Sequence, residues 1–529
     1  MNAAAADAKK EGPAVSPMLV AMVVSLAAFM EVLDTTITNV SLSHIAGSLA
    51  ASQDESTWVL TSYLVANGIV LPLSGWLSNV MGRKNFFMMC IAGFTVASFA
   101  CGMATSLPML IVFRLIQGLA GGGLQPTQQA IIMDSFPPEK RGTAFGITGI
   151  TMIVAPILGP TLGGYITDNF NWRWIFFMNV PVGIMAVLLV RSLVTDPPHA
   201  RAQGVKSIDY IGLGLLAVGL GALQIMLDKG QEDDWFDSRL IDISCTIAVL
   251  CLGGAVMWLL RQKDAIVDLR LMKQRAFGSA CLMIFFVGFS LYGASALLPL
   301  LLQSSFGYDA TLAGLVLSPG GISVIILMPI VGRMVNRVQA RYLIAFGMFI
   351  TAVGMFLTMH FTPQTDYNTF VMLRILQVGG LPFLFVPIST MAFSAIPKEK
   401  SGKASALYSL MRNLGGSFGI SALLTFLERR EQTHQNFMVE HLTPANHGFA
   451  PALARATANA VNAGYGHGAA VGVARGLLYR QMESQSMILG YADSFYALAI
   501  VMFGLSLFAL TLPTVNLHKK KSADAAPAH

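Results

Sequence analysis

Glu31 and Asp34 stand three residues apart inside an apolar run that begins near residue 17. That spacing puts both carboxylates on one face of a helix. An ionised acid at the centre of a membrane helix costs roughly 2.5–3.5 kcal/mol, so such acids face a cavity or a partner. Carboxyls in such surroundings can load and release protons. Asp34 is therefore the first candidate proton carrier; the alternative is a structural acid bonded near the outer mouth of its helix. Glu31 reads as a second proton- or cation-handling group, or as a polar wall or packing residue. Arg114, in another apolar run, is the natural counter-charge, because a buried Arg keeps its proton. It could hold a carboxylate ionised until substrate or protonation breaks the pair, or be a structural Arg satisfied by helix carbonyls. Arg374 occupies the repeat-equivalent place. Arg412 falls near the inner start of its apolar segment, where snorkelling or a structural role is expected.

Polar amides inside apolar segments come next. Gln125, Gln128, Asn67 and Gln117 are the candidates for lining a substrate cavity, Gln125 above the others, and interhelical hydrogen bonding is the competing reading. The 32 Phe and 29 Met suit promiscuous apolar binding, although most must face lipid or other helices. The run Gly118 to Gly123 has no P-loop pattern and reads as close helix packing. No nucleophile–base set supports an enzyme. The nine His form no metal spacing, and the five Cys lie in apolar segments without a C-x-x-C pair, so no metal, cofactor or disulfide is expected.

The elements that must position these residues are membrane helices. Of 529 residues 54% are hydrophobic and 12% charged, against about 25% charged in an ordinary soluble domain. The deficit runs along the whole chain, which excludes a soluble protein with one anchor. The net charge of +6 is no sign of nucleic-acid binding, because the positive residues sit in short clusters between apolar runs. About fourteen runs of some twenty residues qualify as spans, including 404–427 and 487–512. Lys9, Lys10, Arg83, Lys84, Lys140, Arg141, Arg201, Lys206, Lys263 and Lys519 to Lys521 all fall on one side if both termini are cytoplasmic. The acid-rich loop Asp228–Asp237 falls on the other.

The chain also repeats. Phe113 to Gln117 recurs as Leu373 to Gln377, and Pro137, Glu139, Lys140 and Gly142 recur as Pro397, Glu399, Lys400 and Gly402. Gly75 to Lys84 echoes Gly332 to Arg341. The expected architecture is an all-α integral membrane fold of two six-helix halves with two inserted central helices. Its parts are a cytoplasmic tail 1–16, a first bundle 17–193, a linker with the inserted helices 194–275, a second bundle 276–512 and a cytoplasmic tail 513–529. Within the second bundle, residues 428–486 form a polar extracytoplasmic loop with helices over 428–440 and 452–461. Parallel repeats place a substrate site near the midplane between the halves.

Several motifs carry a family resemblance over nearly the whole chain. Gly75-Trp76-Leu77-Ser78-Asn79-Val80-Met81-Gly82-Arg83-Lys84 resembles the G-x-L-a-D-r-x-G-r-k loop of the major facilitator superfamily, with Asn79 where that motif carries Asp. Leu33 to Val40, with Asp34, resembles the first-span motif of its fourteen-span drug:proton antiporter branch. Arg114-Leu115-Ile116-Gln117-Gly118 resembles the fourth-span coupling motif. Ala155 to Gly164, with Pro156, Gly159, Pro160, Gly163 and Gly164, resembles the fifth-span motif associated with exporters. Trp172 to Pro181 also fits the branch, and within it the chain is similar to Emr-type exporters.

The resemblance implies a proton-coupled antiporter in a bacterial inner membrane that exports small hydrophobic compounds. It assigns coupling to Asp34 and Arg114, and conformational roles to Gly75, Asn79, Gly82, Arg83 and the fifth-span residues. It implies protons, membrane lipid, a periplasmic adaptor and an outer-membrane channel as partners. A dedicated fatty-acid, lipid or siderophore exporter and a non-transporting receptor are the competing functions. His434, His441, His447 and His467 are expected to be solvated.

Overall fold

Apolar runs become helices here because local signals start and stop them. Ser52 and Glu55 form a reciprocal cap on the third helix. Asp209, Asp309 and Asp366 each accept a backbone N–H in the first turn of their helices. Gly82, at φ +83°, turns the chain sharply between two helices, a conformation that costs glycine nothing. The computed structural model describes residues 16–137, 140–197, 209–262, 265–394, 396–443 and 448–514. The tails with Lys9, Lys10 and Lys519 to Lys521, and Glu139, Arg201, Lys206, Lys263 and His447, lie outside the described residues.

The helices are α1 (Pro17–Val40), α2 (Leu42–Ser48), α3 (Gln53–Met81), α4 (Arg83–Gly102), α5 (Leu107–Gly121), α6 (Leu124–Ser135), α7 (Arg141–Asn169), α8 (Trp174–Phe177), α9 (Asn179–Leu193), α10 (Tyr210–Lys229), α11 (Arg239–Arg261), α12 (Arg275–Phe306), α13 (Ala310–Met334), α14 (Ala340–Thr358), α15 (Tyr367–Gly379), α16 (Pro382–Phe393), α17 (Ser401–His441), α18 (Phe449–Asn462) and α19 (His467–Ala509). Among the described residues thirteen segments are long and apolar enough to span a membrane, counting α5–α6, α8–α9 and α15–α16 as single crossings. The fourteenth crossing is α17. Its Gly, Ser and polar residues lower its hydropathy, yet it packs against α12, α19, α3 and α6. A buried, small-residue helix needs no lipid-facing apolar coat.

Two six-helix halves result, with α10 and α11 as an inserted hairpin. α7 packs against both α1 and α13, so it joins the halves on one flank; α17 against α3 joins them on the other. α10 lies on α3 and reaches α17. α11 leaves Ile243, Val249, Leu250, Val256 and Met257 exposed, as a lipid-facing helix does.

The region expected as a loop differs. α17 runs unbroken to His441, and α19 begins at His467, twenty residues before the expected span. Half of 467–486 is Ala, Leu, Arg, Gln or Glu, enough to carry the helix past Gly468, Gly472 and Gly476, so polarity ends the apolar run without ending the helix. His434 is not simply solvated: its Nε2 lies 2.7 Å from Asp493 Oδ2, which also accepts from Arg430 Nε at 2.6 Å.

Candidate functional site

Asp34 lies within the first half, against α5, α9 and α4. Arg114 Nη1 donates to its Oδ2 at 2.5 Å. Gln117 Nε2 and Asn179 Nδ2 donate to its Oδ1 at 3.1 and 2.7 Å. Arg114 is itself fixed, donating to Gln117 Oε1 at 2.9 Å and to the Val59 carbonyl at 3.2 Å. Its guanidinium lies 4.5 Å from the centre of the Tyr63 ring and 5.5 Å from that of Phe176. Asn179 also donates to Ser98 Oγ, which donates to the Phe176 carbonyl. Asp34 is 2% exposed and Arg114 0%. Five helices thus converge on one sealed ion pair. Removing one member of such a pair typically costs about 3–5 kcal/mol, because an uncompensated charge stays buried.

Glu31, one turn away, faces elsewhere. It lines a cavity of about 110 Å³ walled by α1, α3, α6, α10, α12 and α17. Its Oε1 accepts from Asn67 Nδ2 at 3.0 Å and lies 3.5 Å from the Tyr63 hydroxyl. Its Oε2 is buried and meets no protein donor. Tyr63 therefore touches both acids' surroundings: its ring lies against Arg114 and its hydroxyl against Glu31.

Gly118 and Gly121 let α5 approach Tyr63 so closely that a methyl group would stand 2.4 Å from its carbonyl oxygen and 2.7 Å from its hydroxyl. Gly122 does the same at Asn67. The glycine run thus serves packing, and that packing holds Tyr63 and Asn67 in place.

The four cavity candidates separate. Asn67 and Gln125 line the cavity. Gln117 belongs to the Asp34 cluster, and Gln128 donates to Ser25 Oγ at 2.7 Å, outside the cavity wall. Across the cavity, α17 supplies Arg412, whose Nη2 donates to Gln125 Oε1. Arg412 is 1% exposed, so it is a buried bridge between the halves and does not snorkel. Its place in the sequence, eleven residues into a helix, hid this. Asp228 was expected in the outer loop. It lies instead in the last turn of α10 and faces the cavity, because the helix runs on to Lys229.

At the end where the positive clusters lie, the halves touch through glycines. A methyl at Gly75 would stand 2.8 Å from the Gly402 carbonyl oxygen, and one at Gly142 3.0 Å from that of Gly332. The two contacts are repeat-equivalent, joining α3 to α17 and α7 to α13. Arg83 pairs with Asp134, and donates to the Ala130 carbonyl at 3.1 Å and to Ser401 Oγ in the other half at 2.8 Å. Asn79 flanks Gly402, its Oδ1 3.8 Å from where a Cβ there would lie.

Along α7, a methyl at Gly159 would stand 2.1 Å from Thr36 Oγ1, and one at Gly163 3.2 Å from the Ile37 carbonyl. Pro156, Pro160 and the buried Gly164 share that helix. The fifth-span motif therefore presses on α1 two to three residues beyond Asp34, while its opposite flank meets α13 at Gly314.

This geometry has known relatives. The chain is 39% identical over 496 residues to the "Multidrug export protein EmrB" of Escherichia coli K12, covering 93% of this chain and 95% of that protein. It is 37% identical over 512 residues to the "Fatty acid resistance protein FarB" of Neisseria gonorrhoeae, covering 96% and 97%. The solved structure of the proton:xylose symporter XylE superposes with a TM-score of 0.56 at 14% identity, covering 95% of this chain and 97% of that one; it shares the fold. The model of the Major Facilitator Superfamily matches residues 24–420. With paired halves around a central cavity and that match over most of its length, the chain belongs to the Major Facilitator Superfamily, a family of transporters rather than enzymes.

Proposed function

We propose that this protein is a proton-coupled antiporter that exports small hydrophobic compounds from the cytoplasm across a bacterial inner membrane. The observation that carries the reading is the division of labour between two acids one turn apart. Asp34 is locked with Arg114 inside the first half, and Glu31 is open to the cavity between the halves.

Protonation of Asp34 removes one charge of the pair and frees the guanidinium. The five helices that the pair holds then lose a common anchor. α7 transmits the change, since it presses on α1 beside Asp34 and on α13 in the other half. Substrate enters beside Glu31, whose proton it displaces or whose charge it meets. One proton crossing inward gains about 2.3 kcal/mol per 100 mV and about 1.4 kcal/mol per pH unit. That is the scale on which a two-state rearrangement of the halves can be driven. The cavity of about 110 Å³ is smaller than the roughly 300–1,000 Å³ that drug-sized ligands occupy, so the halves must part further to admit substrate.

The positive clusters support cytoplasmic termini and a cytoplasmic position for the Gly75–Gly402 contact. The helical projection made by the outer parts of α17, α18 and α19 suits contact with a periplasmic adaptor that continues to an outer-membrane channel. The name of the Neisseria relative favours a second reading, a dedicated exporter of fatty acids.

The test is efflux from a pump-deficient host and from everted vesicles, over a panel of hydrophobic drugs that includes a fatty acid, with and without an uncoupler. Uncoupler-sensitive export by the wild type and its loss in Asp34→Asn are expected. Uphill export by Asp34→Asn at the wild-type rate would remove Asp34 from the mechanism. Export confined to fatty acids would establish the second reading.

A further inference from the structure

The cavity holds a second carboxylate that the coupling scheme above does not use. Asp228 closes α10, a helix of the inserted hairpin that the two six-helix halves do not themselves supply. Its Oδ1 accepts from Gln224 Nε2 at 2.9 Å, and its Oδ2 is buried and meets no protein donor. Glu31 is built similarly: one oxygen is held by the Asn67 amide, the other is buried without a hydrogen bond of normal geometry, and the Gln125 amide and the Arg412 and Asp34 charges lie around a side chain only 3% exposed. Both line the same cavity.

The amides are fixed in turn. Ser417 Oγ on α17 donates to Gln224 Oε1 at 3.0 Å, so the group that orients Asp228 is tied to the second half. The charged groups around Asp228 are Lys229 and Glu232, which bond each other, and Lys229 also bonds Thr57 of α3. α3 adds the Thr61 hydroxyl, α17 adds Ser417, and Glu428 beyond it is engaged by Gln231. Lys229 is engaged by Glu232, so its charge acts on Asp228 without an ion pair between the two among the described residues. Both acids line one space of about 110 Å³, which has room for a few waters along its mainly apolar wall.

We propose that Asp228 is the proton-uptake site of this transporter: it takes a proton from the outer aqueous side and passes it through cavity water to Glu31. The inference rests on the coupling and topology proposed above, which place the C-terminal end of α10 at the outer mouth. The step moves only a proton, from hydronium to the Asp228 Oδ2 and then, by way of water, to the Glu31 Oε2. It gives the inserted hairpin a task, that of carrying a relay carboxylate into the wall between α3 and α17.

The test uses purified full-length protein in liposomes with a trapped pH dye. Flux is driven by ethidium or by anilinonaphthalenesulfonate; both carry a permanent charge and ferry no protons themselves. A relay matters most where hydronium is scarce. Asp228→Asn should therefore slow proton flux at least about tenfold near pH 8, and much less near pH 6. Asp228→Glu should restore it, and the binding constant of the driving dye should stay at the wild-type value. Gln224→Ala, which leaves the acid but frees its orientation, should show a weaker defect with the same pH pattern. It serves as the readout if Asp228→Asn does not fold.

Equal slowing at both pH values, or wild-type flux at both, would overturn the proposal. So would a loss of ethidium binding in Asp228→Asn with flux on anilinonaphthalenesulfonate intact, since that marks a substrate-charge contact. Asp34→Asn, run in parallel, keeps the two ideas apart. If it is inactive while Asp228→Asn is normal, coupling stands and the relay falls; if it transports uphill, the coupling itself falls.

Discussion

Gly75 of the first half and Gly402 of the second meet backbone to backbone, and the contact is asymmetric in what it tolerates. A methyl group at Gly75 would stand 2.8 Å from the Gly402 carbonyl oxygen and 2.9 Å from the Lys403 Cα, atoms that cannot rotate away. A methyl at Gly402 would find its nearest neighbour, Ser78 Oγ, at 3.4 Å, an ordinary contact. Gly75→Ala is expected to cost about 1–3 kcal/mol by overpacking and to hold this end of the interface ajar. Gly402→Ala should be near neutral. Thermal unfolding in detergent, with maleimide labelling of a cysteine placed at Ser78, reads both effects. Identical melting and labelling in the two alanine variants would show that this contact does not close that end of the interface.

Arg114 and Arg374 are repeat-equivalent, and only Arg114 has a carboxylate. Arg374 donates to Ser295 Oγ at 3.3 Å and Gln377 Oε1 at 3.4 Å, both long, and no carboxylate of the described residues pairs with it. The residue 260 positions after Asp34 is Ala294, so the second half keeps the cation without the carboxylate partner. Replacing a buried, poorly compensated ion by a neutral group is often neutral or stabilising by about 1–4 kcal/mol, whereas breaking a buried pair costs about 3–5 kcal/mol. Arg374→Gln should therefore keep uncoupler-sensitive transport and an unchanged or higher melting temperature. Arg114→Gln should lose both, and adding Asp34→Asn to it should recover stability but not transport. A melting temperature for Arg374→Gln as low as that of Arg114→Gln would refute the distinction.

Much of this arrangement was legible in the residues. The spans could be counted and the repeat aligned, because lipid forces long apolar runs and a parallel duplication preserves register. That Arg114 would face one of the two acids follows from charge, since few other groups in that half could compensate it.

Three things were hidden. Which of two neighbouring acids faces a cavity depends on helix rotation, and α1 is apolar on nearly every side, so Glu31 and Asp34 could not be separated. Asp228 was masked by the acids that follow it, which made a helix end look like a loop. Arg412 looked peripheral because its helix begins early and continues far beyond the membrane, so distance along the chain misjudged its depth. Asn179 carried a signal that went unused: a polar residue following Phe176 and Phe177 in an apolar crossing must bond to something, and it bonds to Asp34.

The outer end of α17 makes a pH prediction. Glu431 lies beyond the spans, where burial, with Glu483 and Glu428 nearby, pushes its carboxyl above the usual range. The folded state then holds this proton more tightly than the unfolded chain does. Its contribution is fully present at acidic pH and is lost as pH rises through the raised folded value. The outer helices should exchange amide hydrogens more slowly in mildly acidic than in neutral medium, after correction for intrinsic rates, and Glu431→Gln should remove the difference. A dependence of opposite sign, or one that survives Glu431→Gln, would assign it to another group.

Gln125 and Gln128 sit one turn apart on α6 yet do different things. Gln125 Oε1 holds Arg412 across the interface, and its side chain lines the cavity; Gln128 ties α6 to Ser25 of α1. Gln128→Ala should lower stability by about 1 kcal/mol, the usual worth of one such bond, and leave KM for every substrate unchanged. Gln125→Ala should act on substrate choice instead. Without the amide, the Arg412 guanidinium has no neutral acceptor and turns toward Glu31, the nearest anion in the cavity. Partial neutralisation of Glu31 should weaken a cationic substrate such as ethidium by about tenfold, about 1.4 kcal/mol, and leave or improve an anionic one. Gln125→Glu, which gives Arg412 a charged partner, should reverse the bias toward cations. The measurement is KM for the two dyes in proteoliposomes across the three variants. If both dyes weaken equally in Gln125→Ala, the residue contributes shape to the cavity and no electrostatic selection.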